Sequence, residues 1–411
     1  MLIKKSLSYF MKRMRNLDKV VFIISLVIFA IGVLTIFSTT GISTYNNRSG
    51  DSMSYVRNTL IFGVASLIGM FTLFFIPYKT IKNRLGPLAL AGTLGLLVLT
   101  AIIGEGSRSN PNAQRWIVLG GFRFQPAEFA RLGMAVSFPW LVQYLVDRKM
   151  YFTKDFWAPN LYALAYVLAC GILIIAQPDL GSAMVVAGMG LIMFFSSGLQ
   201  KKQLAVFILV GVSGILLVGI FATTMLRGYQ IQRLNTWLDP FNDPRGLQNV
   251  MGFMSIALGG MFGVGLGNSM QKYGFAIEPQ TDFIITIIAE ELGTFVVLLI
   301  MAGYFTIAVK CFLTAFKGRD MFSSLTCVGV GSFFLIQPLI NLGGVIGLIP
   351  LSGVTLPFVS FGGTSLMSTF FMIGIYLNMR NEIFKKDNQK NSEKKMIESV
   401  ISKKIIPFRK A

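Results

Sequence analysis

Apolar runs near the length of roughly 20 residues that spans a bilayer recur from one end of the chain to the other, separated by short polar breaks. They begin near Val20, Thr59, Leu85, Glu128, Ala158, Ser182, Leu204, Asp282, Ser323 and Ser360. This pattern predicts an all-α polytopic membrane protein of about ten transmembrane helices. An even number puts both termini on one side. Lys79, Lys82, Arg84, Arg148, Lys149, Lys154, Lys201, Lys202, Lys310, Lys317 and Arg319 all fall in alternate connections, and both tails are basic. The positive-inside rule makes these connections and both termini cytoplasmic. The expected division is a basic tail over 1–19, a membrane domain over 20–380 and a second basic tail over 381–411. The connections 41–56, 104–127, 177–181 and 346–359 are then external. So is the large segment 225–280 before the eighth helix, part of which reads as a turn-rich polar stretch that does not cross.

Composition agrees with the pattern. Of 411 residues, 54% are hydrophobic and 13% charged, and the net charge is +19, which is the profile of an integral membrane protein. The first apolar run is too long for a signal-peptide core and is expected to stay as a helix. The chain has no histidine, so acid and base work falls to carboxylates. Cys170, Cys311 and Cys327 lie in apolar runs without paired spacing and read as small buried hydrophobes. After Arg380 the composition turns to lysine, asparagine and serine. Met396, Ile397, Val400, Ile401 and Ile405 recur there at helical spacing, which fits either a basic amphipathic helix on the inner leaflet or a disordered tail.

The candidate chemistry crowds the outer side. Asp282, after Pro279, Gln280 and Thr281, stands at the mouth of an apolar helix expected to run to about Lys310. Thr281 or Asp282 could cap that helix, or Asp282 could be catalytic, since both roles ask for the same residue type there. At roughly 40 Å that helix is longer than the apolar slab of about 30 Å, so Asp282 can stand above the hydrocarbon while Glu290, about two turns down, lies inside it. Glu290 and Glu291, adjacent in an apolar helix, cannot both face lipid. Arg115 beside Trp116 suits a lipid phosphate at the headgroup level. Pro126 and Glu128 mark the start of the fourth helix, where Glu128 and Arg131 share a face and can pair. Asp179 is placed either to cap the sixth helix over Ser182 or to touch a substrate. Arg233 and Lys272 are further external cations. The glycines from Gly259 to Gly267 follow no strand, so a dinucleotide cradle is rejected in favour of close backbone approach to a ligand or a neighbouring helix.

Several motifs, taken in order, resemble one family. They are Arg115-Trp116-Ile117, Gln125-Pro126-Ala127-Glu128-Phe129, Gln177-Pro178-Asp179-Leu180-Gly181, Thr281-Asp282-Phe283, Glu290-Glu291-Leu292-Gly293, and Pro357-Phe358-Val359-Ser360-Phe361-Gly362-Gly363. Together they resemble the SEDS proteins (shape, elongation, division and sporulation), over nearly the whole chain between the tails. Leu238-Asp239-Pro240-Phe241 and Gly265-Leu266-Gly267-Asn268-Ser269 are more similar to the FtsW division branch than to the RodA elongation branch. The resemblance implies a peptidoglycan glycosyltransferase that polymerises lipid II at the outer face of the bacterial cytoplasmic membrane, at the division septum for that branch. It implies a class B penicillin-binding protein and other division or elongation proteins as partners, and no nucleic acid. Asp282 matches the family's catalytic aspartate. Arg115, Glu128, Arg131, Asp179, Arg233, Lys272, Glu290 and Ser360 are the candidates for contact with substrate. Two positions depart from the family pattern: Pro279-Gln280 stand where alanine and histidine are common, and Arg131 where lysine is. A divalent cation, magnesium or manganese, could assist the pyrophosphate, although no ligand cluster marks one. A lipid II flippase and a non-enzymatic scaffold are the other classes the sequence leaves open.

Overall fold

The computed structural model describes residues 13–46, 53–106, 114–120, 122–149, 157–198, 228–272, 280–318 and 320–405. The described residues form twelve helices and one hairpin. The first six helices are α1 (Lys19–Asn46), α2 (Ser54–Phe75), α3 (Tyr78–Ile103), α4 (Pro126–Asp147), α5 (Trp157–Ala176) and α6 (Leu180–Ser196). They are followed by α7 (Gly228–Leu238), α8 (Leu247–Gly259), α9 (Ile284–Leu292), α10 (Thr294–Ala315), α11 (Met321–Val345) and α12 (Gly363–Ile405). Six of them, α1 to α4, α10 and α11, are long and apolar enough to cross a membrane, and α6 and α8 are shorter apolar helices. The seventh expected span, near Leu204, lies outside the described residues. The tenth starts at Gly363 and runs on through the basic tail as one helix.

α11 is the centre of the bundle. Within its most apolar window 78% is buried, against 22% for α3, so α11 is packed on all sides while α3 shows most of its surface to lipid. α4 is the second inner helix, and α6, α10 and α12 pack around these two. The three cysteines are free and buried.

The two ends of the bundle differ in charge. Arg380 on α12 pairs with Asp18 at 3.1 Å and Asn16 donates to Asn381 at 3.3 Å, so the first and last spans enter from the same side. Arg13 is held there by the Phe74 carbonyl, Lys317 lies over the Phe384 ring, and Gln143, close to Arg148, accepts from the Phe322 amide. The candidate site lies at the opposite end.

The connection expected over 104–127 contains a hairpin. β1 (Ile117–Leu119) pairs antiparallel with β2 (Phe122–Phe124), with Ile117 opposite Phe124. Trp116 bridges to Glu105 just ahead of it. The segment expected to be turn-rich carries helix α7 before its turns begin at Asp239.

The expected helix from Asp282 to Lys310 is broken. At Gly293 the backbone takes φ 88°, closed to most L side chains, and a Cβ there would collide with the Met261 carbonyl. The amides freed by the break are taken up by the glycine-rich segment: Thr294 donates to the Gly260 carbonyl at 3.0 Å and Phe295 to Met261 at 3.2 Å. In return Val264 and Gly265 donate to the Glu290 and Glu291 carbonyls at 2.9 and 3.0 Å. Gly259 and Gly263 thus serve close approach of backbone to a neighbouring helix.

Candidate functional site

The break decides where Asp282 lies. Gly331 of α11 packs on Ala308 and Cys311 of α10, and Asn341 lies ten residues, about 15 Å, further out along α11. One straight helix over α9 and α10 would carry Asp282 about 40 Å beyond Ala308. Instead its carbonyl accepts from Asn341 Nδ2 at 2.9 Å. α9 therefore folds back over the bundle, and Asp282 drops into the mouth at the end opposite the Asp18–Arg380 pair rather than standing above it. Glu291 meets Ser38 of α1 at 2.7 Å, ten residues beyond Ile28, which packs on Gly303. The two glutamates thus lie toward the same end of the bundle as Asp282, and the unbroken helix that would have set Glu290 about two turns deeper is absent.

Asp282 does not cap α9. The cap position falls on Phe283, which offers no side-chain bond to the helix. The Asp282 carboxylate accepts the Thr281 hydroxyl at 3.0 Å, and among the described residues no side chain of another element bonds it. It lies in the turn ahead of α9, outside the spanning helices. Burial of the carboxyl pushes it above the ordinary carboxylate range, while the Thr281 bond and the positive charge of Arg233 pull the other way. Loop 351–355 closes over it: a Cβ at Gly353 would lie 3.8 Å from Asp282 Oδ2, and Arg233 of α7 donates to the Leu351 carbonyl at 2.6 Å. Phe361 N–H donates to the Gln280 carbonyl at 2.8 Å and fixes the near side of the turn.

A second polar cluster fills the bundle beside this mouth. Arg131 Nη1 pairs with Glu128 at 2.7 Å and donates to Gln337 Oε1 at 2.9 Å, and Nη2 donates to Ser182 Oγ at 2.8 Å. Ser182 in turn donates to Asp179, which also accepts the Ser182 amide at 3.1 Å, so Asp179 is the N-cap of α6. Gln337 Nε2 donates to the Thr355 carbonyl at 2.8 Å. Glu128 and Arg131 are fully buried and both Nη atoms of Arg131 are engaged by the protein. The pair lets both charges enter the bilayer together.

The third cluster stabilises the break. Lys272 pairs with Glu291 at 2.8 Å and reaches Ser38 at 3.2 Å, while Glu290 accepts from Ser269 Oγ at 2.7 Å and from the Met270 amide at 2.8 Å. Lys272, Glu290 and Glu291 are buried. Ser360 is buried too, and its hydroxyl accepts the Leu356 amide at 2.7 Å, which closes its own turn. Arg115 is half-buried and donates to the Pro178 carbonyl.

Of the residues singled out in sequence, Asp282 and Arg233 come together with loop 351–355. Glu128, Arg131 and Asp179 form the adjoining network, and Lys272 and Glu290 form the third cluster. Sequence reasoning missed Gln337, Asn341 and Thr355, which join the first two. The signal available was two carboxamides four residues apart in an apolar helix, where polar side chains need a partner. Among the described residues no group of three or more His, Cys, Asp or Glu is placed to hold a metal ion. One carboxylate beside a guanidinium is a poor donor set for a magnesium or manganese ion.

Three comparisons bear on what this arrangement belongs to. Residues 18–384 match the model of the family described as cell cycle protein, which groups FtsW, RodA and SpoVE. Stage V sporulation protein E of Bacillus subtilis (strain 168) is 34% identical over 364 residues, covering 88% of this chain and 96% of that protein. The probable peptidoglycan glycosyltransferase FtsW of the same organism is 33% identical over 369 residues, covering 88% and 90%. In fold, the chain is similar to one in a solved peptidoglycan synthase complex that coordinates polymerization and crosslinking, with a TM-score of 0.72 at 24% identity over 90% of this chain and 98% of that one. It is also similar to the Thermus thermophilus rod shape determining protein RodA, with a TM-score of 0.61 at 22% identity and the same coverage. With its motifs in family order and its membrane domain matched almost from end to end, the chain belongs to the cell cycle protein family of FtsW, RodA and SpoVE.

Proposed function

We propose that this protein is a peptidoglycan glycosyltransferase that polymerises lipid II at the outer face of the bacterial cytoplasmic membrane, with Asp282 as general base. The observation that carries the reading is the state of Asp282. Glu128, Asp179, Glu290 and Glu291 are each held by ion pairs, caps or bonds from other elements, while the Asp282 carboxylate is bonded only within its own turn, by Thr281 and by the Asp282 and Phe283 backbone, among the described residues. A carboxyl pushed up by burial is also a better match to an alcohol proton than an ordinary one.

In the proposed step the acceptor sugar hydroxyl attacks the anomeric carbon of the donor as the bond to pyrophosphate breaks. The hydroxyl proton passes to the Asp282 carboxylate, and the electron pair leaves with the lipid pyrophosphate. One such displacement turns an α-linked donor into a β-linked glycan. Arg233 is the cation whose charge reaches Asp282, so it is assigned to the leaving pyrophosphate, with Arg115 at the rim. No step is routed through a divalent ion. Names given to relatives support the activity, and a class B penicillin-binding protein is the proposed partner, with septal wall synthesis the proposed setting.

Purified protein with that partner and labelled lipid II tests the proposal. Polymer that disappears with Asp282→Asn supports it. Translocation of lipid II without polymer would make the chain a flippase, and neither activity would make it a scaffold.

A further inference from the structure

Gln337 and Asn341 are four residues apart on one face of α11, and both are buried. Asn341 Nδ2 carries two N–H groups and uses them on two segments of chain, the Asp282 carbonyl at 2.9 Å and the Val354 carbonyl at 2.7 Å. Its Oδ1 is buried without a partner, so nothing but these two bonds sets the orientation of the amide. One turn back, Gln337 donates to the next carbonyl of the same loop, Thr355, at 2.8 Å, and accepts from Arg131 at 2.9 Å.

We propose that Asn341 is a positioning residue for Asp282, and that with Gln337 it forms a clasp setting the catalytic turn and loop 351–355 against the buried Arg131 network. This rests on the reading of Asp282 as the base. Asp282 precedes α9 in a turn without a side-chain cap, so its backbone is set by what other elements bond to it. Among the described residues, Phe361 N–H to the Gln280 carbonyl does this on one side, and Asn341 to Asp282 itself on the other. An aspartate carboxyl hangs from the backbone by only two rotatable bonds, Cα–Cβ and Cβ–Cγ, so a carbonyl held in place limits where the carboxylate can go. The same amide holds Val354, within the loop that closes over Asp282 Oδ2, so the base and this loop are tied to one side chain. Asn341 is neutral and makes its bonds to backbone, so its loss should alter the rate of the step and leave substrate affinity alone.

The test uses the full-length protein with its partner synthase in proteoliposomes and lipid II as substrate. Asn341→Ala and Asn341→Leu both remove the donors, and leucine keeps the volume of the side chain. Each leaves two carbonyls without a donor, so activity is read per folded molecule, and kcat is expected to fall by about ten- to a hundredfold, since displacement of a catalytic group by 1 Å costs on that order. KM for lipid II should not change, and Asn341→Ser, which keeps one donor, should fall between. Unchanged kcat in stable variants would overturn the proposal. So would a loss of activity that only follows the loss of folded protein. Asp282→Asn is run beside them: if it polymerises normally, the base reading fails and the positioning role with it. If it is inactive while Asn341→Ala runs at full rate, the positioning role fails alone.

Discussion

At the scale of single residues the sharpest demand falls on Asp282. Because the cap of α9 is Phe283, an amide in place of the Asp282 carboxylate removes no helix-capping bond. Asp282→Asn is therefore expected to accumulate normally and still bind its partner, while polymerisation falls by about a hundredfold to ten-thousandfold, the usual loss for a general base. Normal glycan synthesis by that variant would refute the assignment. The pH profile follows from the same geometry. A base works in its deprotonated form, and burial raises the pH at which Asp282 takes up a proton. Activity should be complete well above that pH and fall as the pH drops through it, so the acidic limb should lie above the ordinary carboxylate value of about 3.9. Arg233 holds the value down by its charge. Arg233→Ala should move the acidic limb to higher pH and raise KM for lipid II, and an unmoved limb would show that the charge does not act on Asp282. Asp282 itself was legible in the sequence, because a carboxylate at the mouth of an apolar run demands an explanation. The direct partners of its turn were not, since Asn341 and Phe361 are far away in the chain and meet the turn only through the fold.

At the scale of elements, the helix starts and the short-range pair lie where the sequence put them. Pro126 opens α4, Asp179 caps α6, and Glu128 pairs with Arg131. What was misread is the helix beyond Asp282. The run through Glu290, Glu291 and Leu292 into Thr294 is apolar on both sides, and Gly293 is its only punctuation. The left-handed backbone there depends on long-range bonds to 260–265 that no local pattern announces. The hairpin at 117–124 did leave a signal, two glycines between short apolar runs. Gly293→Ala is expected to cost about 1–3 kcal/mol for the strained backbone, with a further penalty from the collision with Met261. It should lower both melting temperature and activity, because α9 carries Asp282. The Arg131 pair makes a different demand. Removing one partner of a buried ion pair leaves a bare charge and costs about 3–5 kcal/mol, whereas replacing both is far milder. Arg131→Met should therefore be depleted from the membrane, and Arg131→Met combined with Glu128→Gln should recover much of that loss. If the double variant accumulates no better than the single one, the pair does more than let two charges into the bilayer.

At the scale of the whole molecule, the apolar runs and the lysines and arginines carry the architecture, and the structure supplies a check that sequence lacks. Asp18 meets Arg380, and Tyr78 meets Asp320, which brings the first and last spans and two connections to one end. Arg13, Lys317 and Arg380 gather at that end, while Asp282, Arg233 and loop 351–355 occupy the other. Which end faces the cytoplasm is set by the charge rule, because translocating a cluster of cations is resisted during insertion. The proposed chemistry depends on that orientation, since an outer-face polymerase needs Asp282 outside. Single cysteines test it: Ser392→Cys in the basic tail and Phe241→Cys in the exposed turn after α7, each in a background lacking Cys170, Cys311 and Cys327. An impermeant thiol reagent added to intact cells should label position 241 and leave position 392 untouched until the membrane is opened. The reverse pattern would place the Asp282 mouth in the cytoplasm and rule out polymerisation at the outer face, whatever the Asp282 variants do in detergent.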